Sequence, residues 1–390
     1  MTAAGRPTGN GIPAGDEMIA RAVALLPLLR QHAAEIDARR RLTDDVLAAM
    51  VRAGLFRMRT PKRLGGYETD LHTVTEVVET IATADPSAAW LVALATVASW
   101  LVGRTSKRAQ DEVFGTDPDA RLSGSDFPGA ASQTRAGVRL TGRWPYASGS
   151  HHATWASLAA QLTNDAGTVV DTVVALVPVA DVTLEDTWCT VGMRGTGSNT
   201  WVAEDVFVPD HLLVSMPALG ADMWPAPTDE PMYRIPFAPL TGLMLAAPLL
   251  GAGRAVLELV VDKAPTKMIH HRFVRQSDSV GVQIQIAEAA LKLKTAQLHA
   301  YEIADILDAS TTHGPGLDYD DRARIRGQAA YAAQQVLDAI NDLINVHGAG
   351  SFALSNPLQQ FWRDANTAAR HAGLNTLLGY EDYGKALLGM

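Results

Sequence analysis

Apolar residues recur at three- and four-residue steps from Asp16 to about Val113, and this spacing predicts helices. Ile19, Val23, Leu26, Leu29 and Ala33 fall on one face. Thr43 stands as an N-cap before Val46, Leu47, Met50 and Val51, and that run ends near Gly54. Asp85-Pro86-Ser87 opens a more apolar stretch, 88–102, with proline in the first turn. At about fifteen residues it is shorter than the roughly 18 a membrane span needs, so a buried helix is expected. Between about Arg121 and Val214 the period drops to two. Segments 138–144, 155–162, 168–177 and 200–208 read as strands, punctuated by Gly, Asp, Asn and Pro. Six to eight short strands are expected there, as a β-barrel or sandwich. From about Ile235 the helical period returns, over 240–263 with a kink point at Pro248, 282–309, 319–346, 357–371 and 374–388.

This order divides the chain into a loose tail (1–15), an N-terminal helical domain (16–119), a middle β domain (120–215) and a C-terminal helical bundle (216–390). The fold class is mainly α with a central β domain. The βαβ alternation of a parallel sheet is missing. The segment 216–236, with Met223, Trp224 and several prolines, reads as a lid over a pocket.

Composition narrows the function. Lys and Arg number 33 against 42 Asp and Glu, a net charge of −9, so no basic excess exists to neutralise phosphates and no nucleic-acid partner is expected. A single cysteine, Cys189, excludes an intrachain disulfide and any multi-thiolate metal site, and makes a cytoplasmic protein the expectation. The first fifteen residues lack the apolar core of a signal peptide. No phosphate-loop or nucleophile-elbow motif occurs, and Gly251-Ala-Gly253 lies in a helical pattern rather than after a strand. The pairs His151-His152 and His270-His271 are adjacent, which does not put both rings on one face, and no metal is expected.

Polar clusters at segment ends carry the remaining signal. They are Ser123-Gly-Ser125-Asp-Phe-Pro128; Trp144-Pro-Tyr-Ala-Ser148-Gly149; Trp188-Cys-Thr-Val-Gly-Met193-Arg-Gly-Thr196-Gly-Ser198; and His347-Gly348-Ala-Gly350-Ser351, followed by Phe361-Trp-Arg363-Asp364 and, seven residues on, His371. With Pro61-Lys-Arg-Leu-Gly-Gly-Tyr67, Asp85-Pro-Ser-Ala-Ala-Trp90 and Glu204-Asp-Val-Phe-Val-Pro209, these segments resemble the acyl-CoA dehydrogenase superfamily over nearly the whole chain.

The resemblance implies an acyl-CoA dehydrogenase-like fold of helical domain, middle β-barrel and helical bundle. Two branches of the superfamily differ in chemistry. Dehydrogenases use a catalytic glutamate that follows the Arg-Asp pair, whereas here the neighbourhood reads Ala-Ala-Arg370-His371-Ala-Gly. Glu381 lies too far downstream without an insertion. An imidazole near neutrality suits a phenol or a peroxide proton. The sequence is therefore similar to the reduced-flavin-dependent (group D) two-component monooxygenases, such as 4-hydroxyphenylacetate hydroxylase oxygenase components. That branch takes reduced FMN or FADH2 from a separate reductase, uses O2 as co-substrate, and hydroxylates an aromatic small molecule, phenolic or polyketide-like, through a C4a-hydroperoxyflavin.

By the same resemblance Ser148 lies beside the flavin N5, and His371 deprotonates a phenolic substrate or steadies the peroxide. Trp90, Ser125, Trp144, Thr196 and Ser198 hold the flavin ring. Ser123 meets the substrate. Arg272 or Arg275 takes the flavin phosphate, and Gly348, Gly350 and Ser351 offer it amides from a neighbouring subunit of a homotetramer. The alternatives are an FAD-dependent acyl-CoA dehydrogenase with Glu381 as base, and a non-redox scaffold on the same fold.

Overall fold

The computed structural model describes residues 12–220, 230–311 and 316–390. Five helices come first: α1 Gly15–Arg39, α2 Asp44–Arg52, α3 Leu71–Ala82, α4 Pro86–Gly103 and α5 Lys107–Phe114. Seven strands follow: β1 Leu122–Gln133, β2 Gly137–Ala147, β3 Trp155–Thr163, β4 Val169–Pro178, β5 Thr183–Glu185, β6 Asn199–Pro209 and β7 Leu213–Ser215. The chain ends in α6 Met216–Gly220, α7 Phe237–Lys263, α8 Val280–Ser310, α9 Tyr319–His347, α10 Pro357–Ala368 and α11 Thr376–Leu387. The expected order of helices, strands and helices is what forms. Of the lid segment, Met223 and Trp224 lie outside the described residues.

Local chemistry sets the helix starts that matter for the site. Thr43 caps α2 by accepting from the Val46 amide, as its position predicts. Asp85 caps α4 by accepting from Ala88 N at 2.7 Å, with Pro86 in the first turn. Helices α4 and α7 are long and apolar enough to cross a membrane, but 78% and 72% of those stretches are buried inside the fold. Their apolar surface is taken up by protein, since both belong to one core built from α1, α3, α4, α7, α8, α9 and α10.

The strands form one sheet in the order β5-β6-β2-β1-β3-β4-β7, antiparallel except for the β1–β3 pair. The sheet has its own core, in which Leu140 and Trp144 of β2, Leu158 of β3, Val173 and Ala175 of β4 and Trp201 of β6 meet. Irregularities interrupt it where chemistry gathers. The β1–β3 register shifts between Ser125 and Gly129, and the β2–β6 register shifts between Trp144 and Ala147.

Candidate functional site

Five of the residues expected at a site meet where α4, the end of β2, the turn before β6 and the loop after α10 converge. Trp90 of α4 donates its indole N–H to Ser148 Oγ at 3.3 Å. Ser148 Oγ lies 2.8 Å from Ser198 Oγ, and Ser198 Oγ lies 2.7 Å from Thr196 Oγ1. Thr196 Oγ1 donates to the Met193 carbonyl at 2.7 Å. The His371 ring packs against Trp90 with centroids 5.9 Å apart.

Backbone geometry builds this cluster. Ser148 and Gly149 leave β2 in a corner, where Gly149 takes φ +79 and its amide donates to the Thr196 carbonyl at 2.7 Å. Ser150 Oγ donates to the Gly197 carbonyl at 2.6 Å, so the corner and the turn 193–198 are tied twice. Met193 adopts φ +52, a conformation disfavoured for its side chain. What holds it is a buried carboxyl: Met193 N donates to Asp364 Oδ1 at 2.5 Å. A side chain at Gly192 would collide with the Arg363 carbonyl, so α10 lies directly on the turn.

The electrostatics follow from burial. Asp364 is 1% exposed and its carboxyl is pushed up to about 8, first by desolvation and then by Asp85. Asp85 is likewise buried, and desolvation pushes it up to about 7. The neighbouring Arg363 guanidinium is turned to Asp37, Gln359 and the Val191 carbonyl. Desolvation by the surrounding protein lowers the His371 pKa, although the residue is exposed to solvent in the isolated chain, and the Asp126 charge opposes that shift. Its Nδ1 accepts from Gly373 N at 3.1 Å, so the neutral ring carries its proton on Nε2. Behind Ser148, a cavity of about 20 Å³ is lined by Phe56, Leu91, Leu94, Leu122 and His152. His152 Nε2 is buried there without a partner, and desolvation lowers its pKa to about 4.

Other expected residues stand apart from this cluster. Trp144 is fully buried in the sheet core and donates to the Ala159 carbonyl at 2.7 Å, so it is not a wall of an open site. The ring that is exposed beside Ser148 is Tyr146, 60% open at φ +63, with Phe127 at 5.6 Å and Trp188 at 6.1 Å. The sequence reading missed this shelf. Ser123 is buried and accepts from Trp201 Nε1 at 3.2 Å, so its hydroxyl is already committed to the sheet core. Ser125 is half-buried and accepts from Phe127 N at 3.4 Å. It adjoins Asp126, whose charge acts on His371.

A second cluster forms elsewhere. Arg272 is exposed on the turn between α7 and α8, and Arg275 is paired with Asp278. This turn is joined to the end of α9, because Gln276 Nε2 donates to the Val346 carbonyl and Lys267 Nζ to the His347 carbonyl. Ser351 Oγ lies 2.8 Å from His347 Nδ1, and Gly348 and Gly350 flank them. Among the described residues, no hydrogen bond or ring contact joins this cluster to Ser148. Glu381, the base an acyl-CoA dehydrogenase would require, is exposed on α11 and paired with Lys385 at 2.5 Å.

A three-part helical, β and helical fold, with a hydroxyl chain and a histidine meeting on either side of one tryptophan, defines the class. The family model "Acyl-CoA dehydrogenase, N-terminal domain" matches residues 21–114, and "Acyl-CoA dehydrogenase, C-terminal domain" matches 243–376. The chain is 34% identical to "Flavin-dependent monooxygenase, oxygenase subunit HsaA" of Rhodococcus jostii (strain RHA1), over 94% of this chain and 97% of that one. It is 30% identical to the "FADH(2)-dependent resorcinol hydroxylase, oxygenase component" of Rhizobium sp. (strain MTP-10005), over 96% and 94%. The solved structure of XiaF from Streptomyces sp., in complex with FADH2 and glycerol, superposes with a TM-score of 0.91 at 38% identity, over 96% of both chains. The chain belongs to the acyl-CoA dehydrogenase superfamily, in its branch of flavin-dependent monooxygenase oxygenase subunits.

Proposed function

We propose that this chain is the oxygenase component of a two-component monooxygenase. It takes a reduced flavin from a separate reductase, uses O2 as co-substrate and hydroxylates a phenolic small molecule. One observation carries the reading: His371, not a carboxylate, packs against Trp90, whose indole meets the Ser148 hydroxyl, while Glu381 lies in an exposed ion pair. Glu381, the base the dehydrogenase alternative requires, therefore does not stand at the site.

The residues present suit a flavin ring. Ser148 presents its hydroxyl oxygen, held from behind by Trp90 and by the buried Ser198 and Thr196 hydroxyls, and Tyr146 and Trp188 present apolar faces. Bound flavin supplies the oxygen activation; the protein orients it and keeps water away. His371 holds a proton at Nε2, with which it would hydrogen-bond the oxygen of a deprotonated phenol, keeping its ring carbon nucleophilic, or steady the oxygen being transferred. FADH2 is the first cofactor form to test, with reduced FMN second, because XiaF and the resorcinol hydroxylase name FADH2.

The second cluster makes sense in a homotetramer. Arg272, Gly348, Gly350 and Ser351 would then serve the flavin phosphate of a neighbouring subunit. The compartment we propose is the cytoplasm, where a reductase and reduced flavin are at hand.

The test supplies purified protein with FADH2, O2 and a simple phenol such as resorcinol, with a reductase in a separate preparation. Hydroxylated product at a yield well above released hydrogen peroxide is expected. Flavin oxidation with no product from any phenol would overturn the reading.

A further inference from the structure

We infer that the hydrogen-bond chain from Trp90 to Met193 runs in one direction only, and that this makes Ser148 an acceptor that selects reduced over oxidised flavin. The inference rests on the reading that Ser148 meets the flavin N5. It goes beyond that reading by assigning Thr196 and Ser198 as the residues that set the selectivity.

Both ends of the chain are groups that cannot reverse. The Trp90 indole N–H can only donate, and it points at Ser148 Oγ at 3.3 Å. The Met193 carbonyl can only accept, and it takes the Thr196 hydroxyl at 2.7 Å. Each hydroxyl has one proton. With the Thr196 proton spent on Met193, the 2.7 Å contact between Thr196 and Ser198 must be Ser198 donating. With the Ser198 proton spent on Thr196, the 2.8 Å contact between Ser198 and Ser148 must be Ser148 donating. Ser148 Oγ is left with no proton to offer outward and with one free lone pair beyond the one Trp90 uses.

Thr196 and Ser198 are 2% and 4% exposed, so water cannot cheaply replace a lost partner. The acceptor at the far end is itself fixed, since Met193 N is held by Asp364 and the Met193 carbonyl also takes the Trp188 indole N–H at 2.9 Å.

The two redox states of a flavin differ at N5. The reduced ring carries a hydrogen there and donates, whereas the oxidised ring has a bare nitrogen and accepts. An outward-facing acceptor at Ser148 matches the first. To serve the second, the whole chain would have to reverse, and the Met193 carbonyl would lose the Thr196 hydroxyl and keep only the Trp188 indole and the Thr196 amide. The loss of that one buried hydrogen bond corresponds to a preference on the order of tenfold. Thr196 and Ser198 are positioning residues in this scheme: they need not touch the flavin, and they act through the Ser148 proton.

The experiment measures equilibrium affinity for oxidised and for anaerobically reduced FAD, with no substrate and no turnover. Wild-type protein is expected to favour the reduced form by at least about tenfold. In Thr196→Val, Ser198 loses its acceptor and the chain is free to reverse, so oxidised flavin binds more tightly and the preference falls by about tenfold. Thr196→Ser keeps a hydroxyl in place and retains the preference. Ser198→Ala, which removes the acceptor of the Ser148 proton, shifts the ratio as Thr196→Val does and covers the case in which valine misfolds. An unchanged ratio in both Thr196→Val and Ser198→Ala, or equal affinities in the wild type, overturns the inference. Ser148→Ala separates the two levels. If it weakens reduced-flavin binding while Thr196→Val leaves the ratio unchanged, only the inference fails. If it alters neither affinity, the flavin does not lie at Ser148 and the underlying reading fails as well.

Discussion

His371 is fixed by a bond it accepts rather than one it donates. Because Gly373 N–H occupies Nδ1, the imidazole offers Nε2–H to the site. Protonation at Nδ1 would break that bond, and burial already disfavours the cation. The His371 pKa is depressed below its usual 6.5, so the ring is neutral at pH 7 and hydroxylation is expected to fall only on the acid side of that value. His371→Ala is expected to lower product formation by about 10²-fold or more with flavin affinity retained, the electrons appearing as hydrogen peroxide. Full product yield from that variant would remove His371 from the chemistry.

His152 gives a separate acid effect. Its folded-state pKa of about 4 lies below the ordinary 6.5, so its contribution is whole above 6.5 and is lost as pH falls through 4. The contribution is on the order of 3 kcal/mol at most. His152→Gln is expected to flatten the rise in unfolding free energy between those pH values, measured by denaturant titration.

At the scale of elements, the sequence made the helices and strands readable because their periods differ, and the caps at Thr43 and Asp85 lie where their side chains predict. It did not reveal which way a strand residue turns at an irregularity. Period-two logic puts Trp144 and Tyr146 on one face of β2. The register shift before Ala147 and the positive φ at Tyr146 break that rule, so Trp144 enters the core and Tyr146 faces outward.

The role of Asp364 was equally hidden. Arg-Asp is visible as a motif, but only packing of α10 on the turn at Gly192 shows that the carboxyl holds Met193. Being raised above its ordinary value, Asp364 favours folding while protonated, and that contribution is lost as pH rises through about 8. Stability is therefore expected to fall from about pH 4 to pH 8, by up to about 1.4 kcal/mol per pH unit, and to level off above that. Asp364→Asn, neutral at every pH and still able to accept from Met193 N, should flatten that slope. Asp364→Ala should loosen the turn and weaken flavin binding at pH 7. Identical slopes between about pH 4 and pH 8 in wild type and Asp364→Asn, by thermal unfolding across pH, would show that this carboxyl is not the group responsible.

The whole molecule leaves apolar surface that one chain does not use. Leu291 and Leu298 of α8 are 67% and 59% exposed, and Leu377 and Leu387 of α11 are 78% and 71% exposed. They lie in the helical bundle, as does the cluster of Arg272, Gly348, Gly350 and Ser351, which among the described residues has no hydrogen bond or ring contact with Ser148. The proposed homotetramer would account for both facts, if bundles pack together and each carries its second cluster to a neighbour's flavin. Burying four leucine side chains at about 1.5–3 kcal/mol each is enough to drive such packing. Leu291→Glu combined with Leu298→Glu would place charge in that contact without touching the core of the subunit. The variant is expected to sediment as a smaller species than the wild type, to keep its far-UV circular dichroism, and to bind reduced FAD at least about tenfold more weakly. Dissociation with unchanged flavin affinity would mean that each subunit holds its flavin alone, and an unshifted sedimentation coefficient would place the subunit contact on another face.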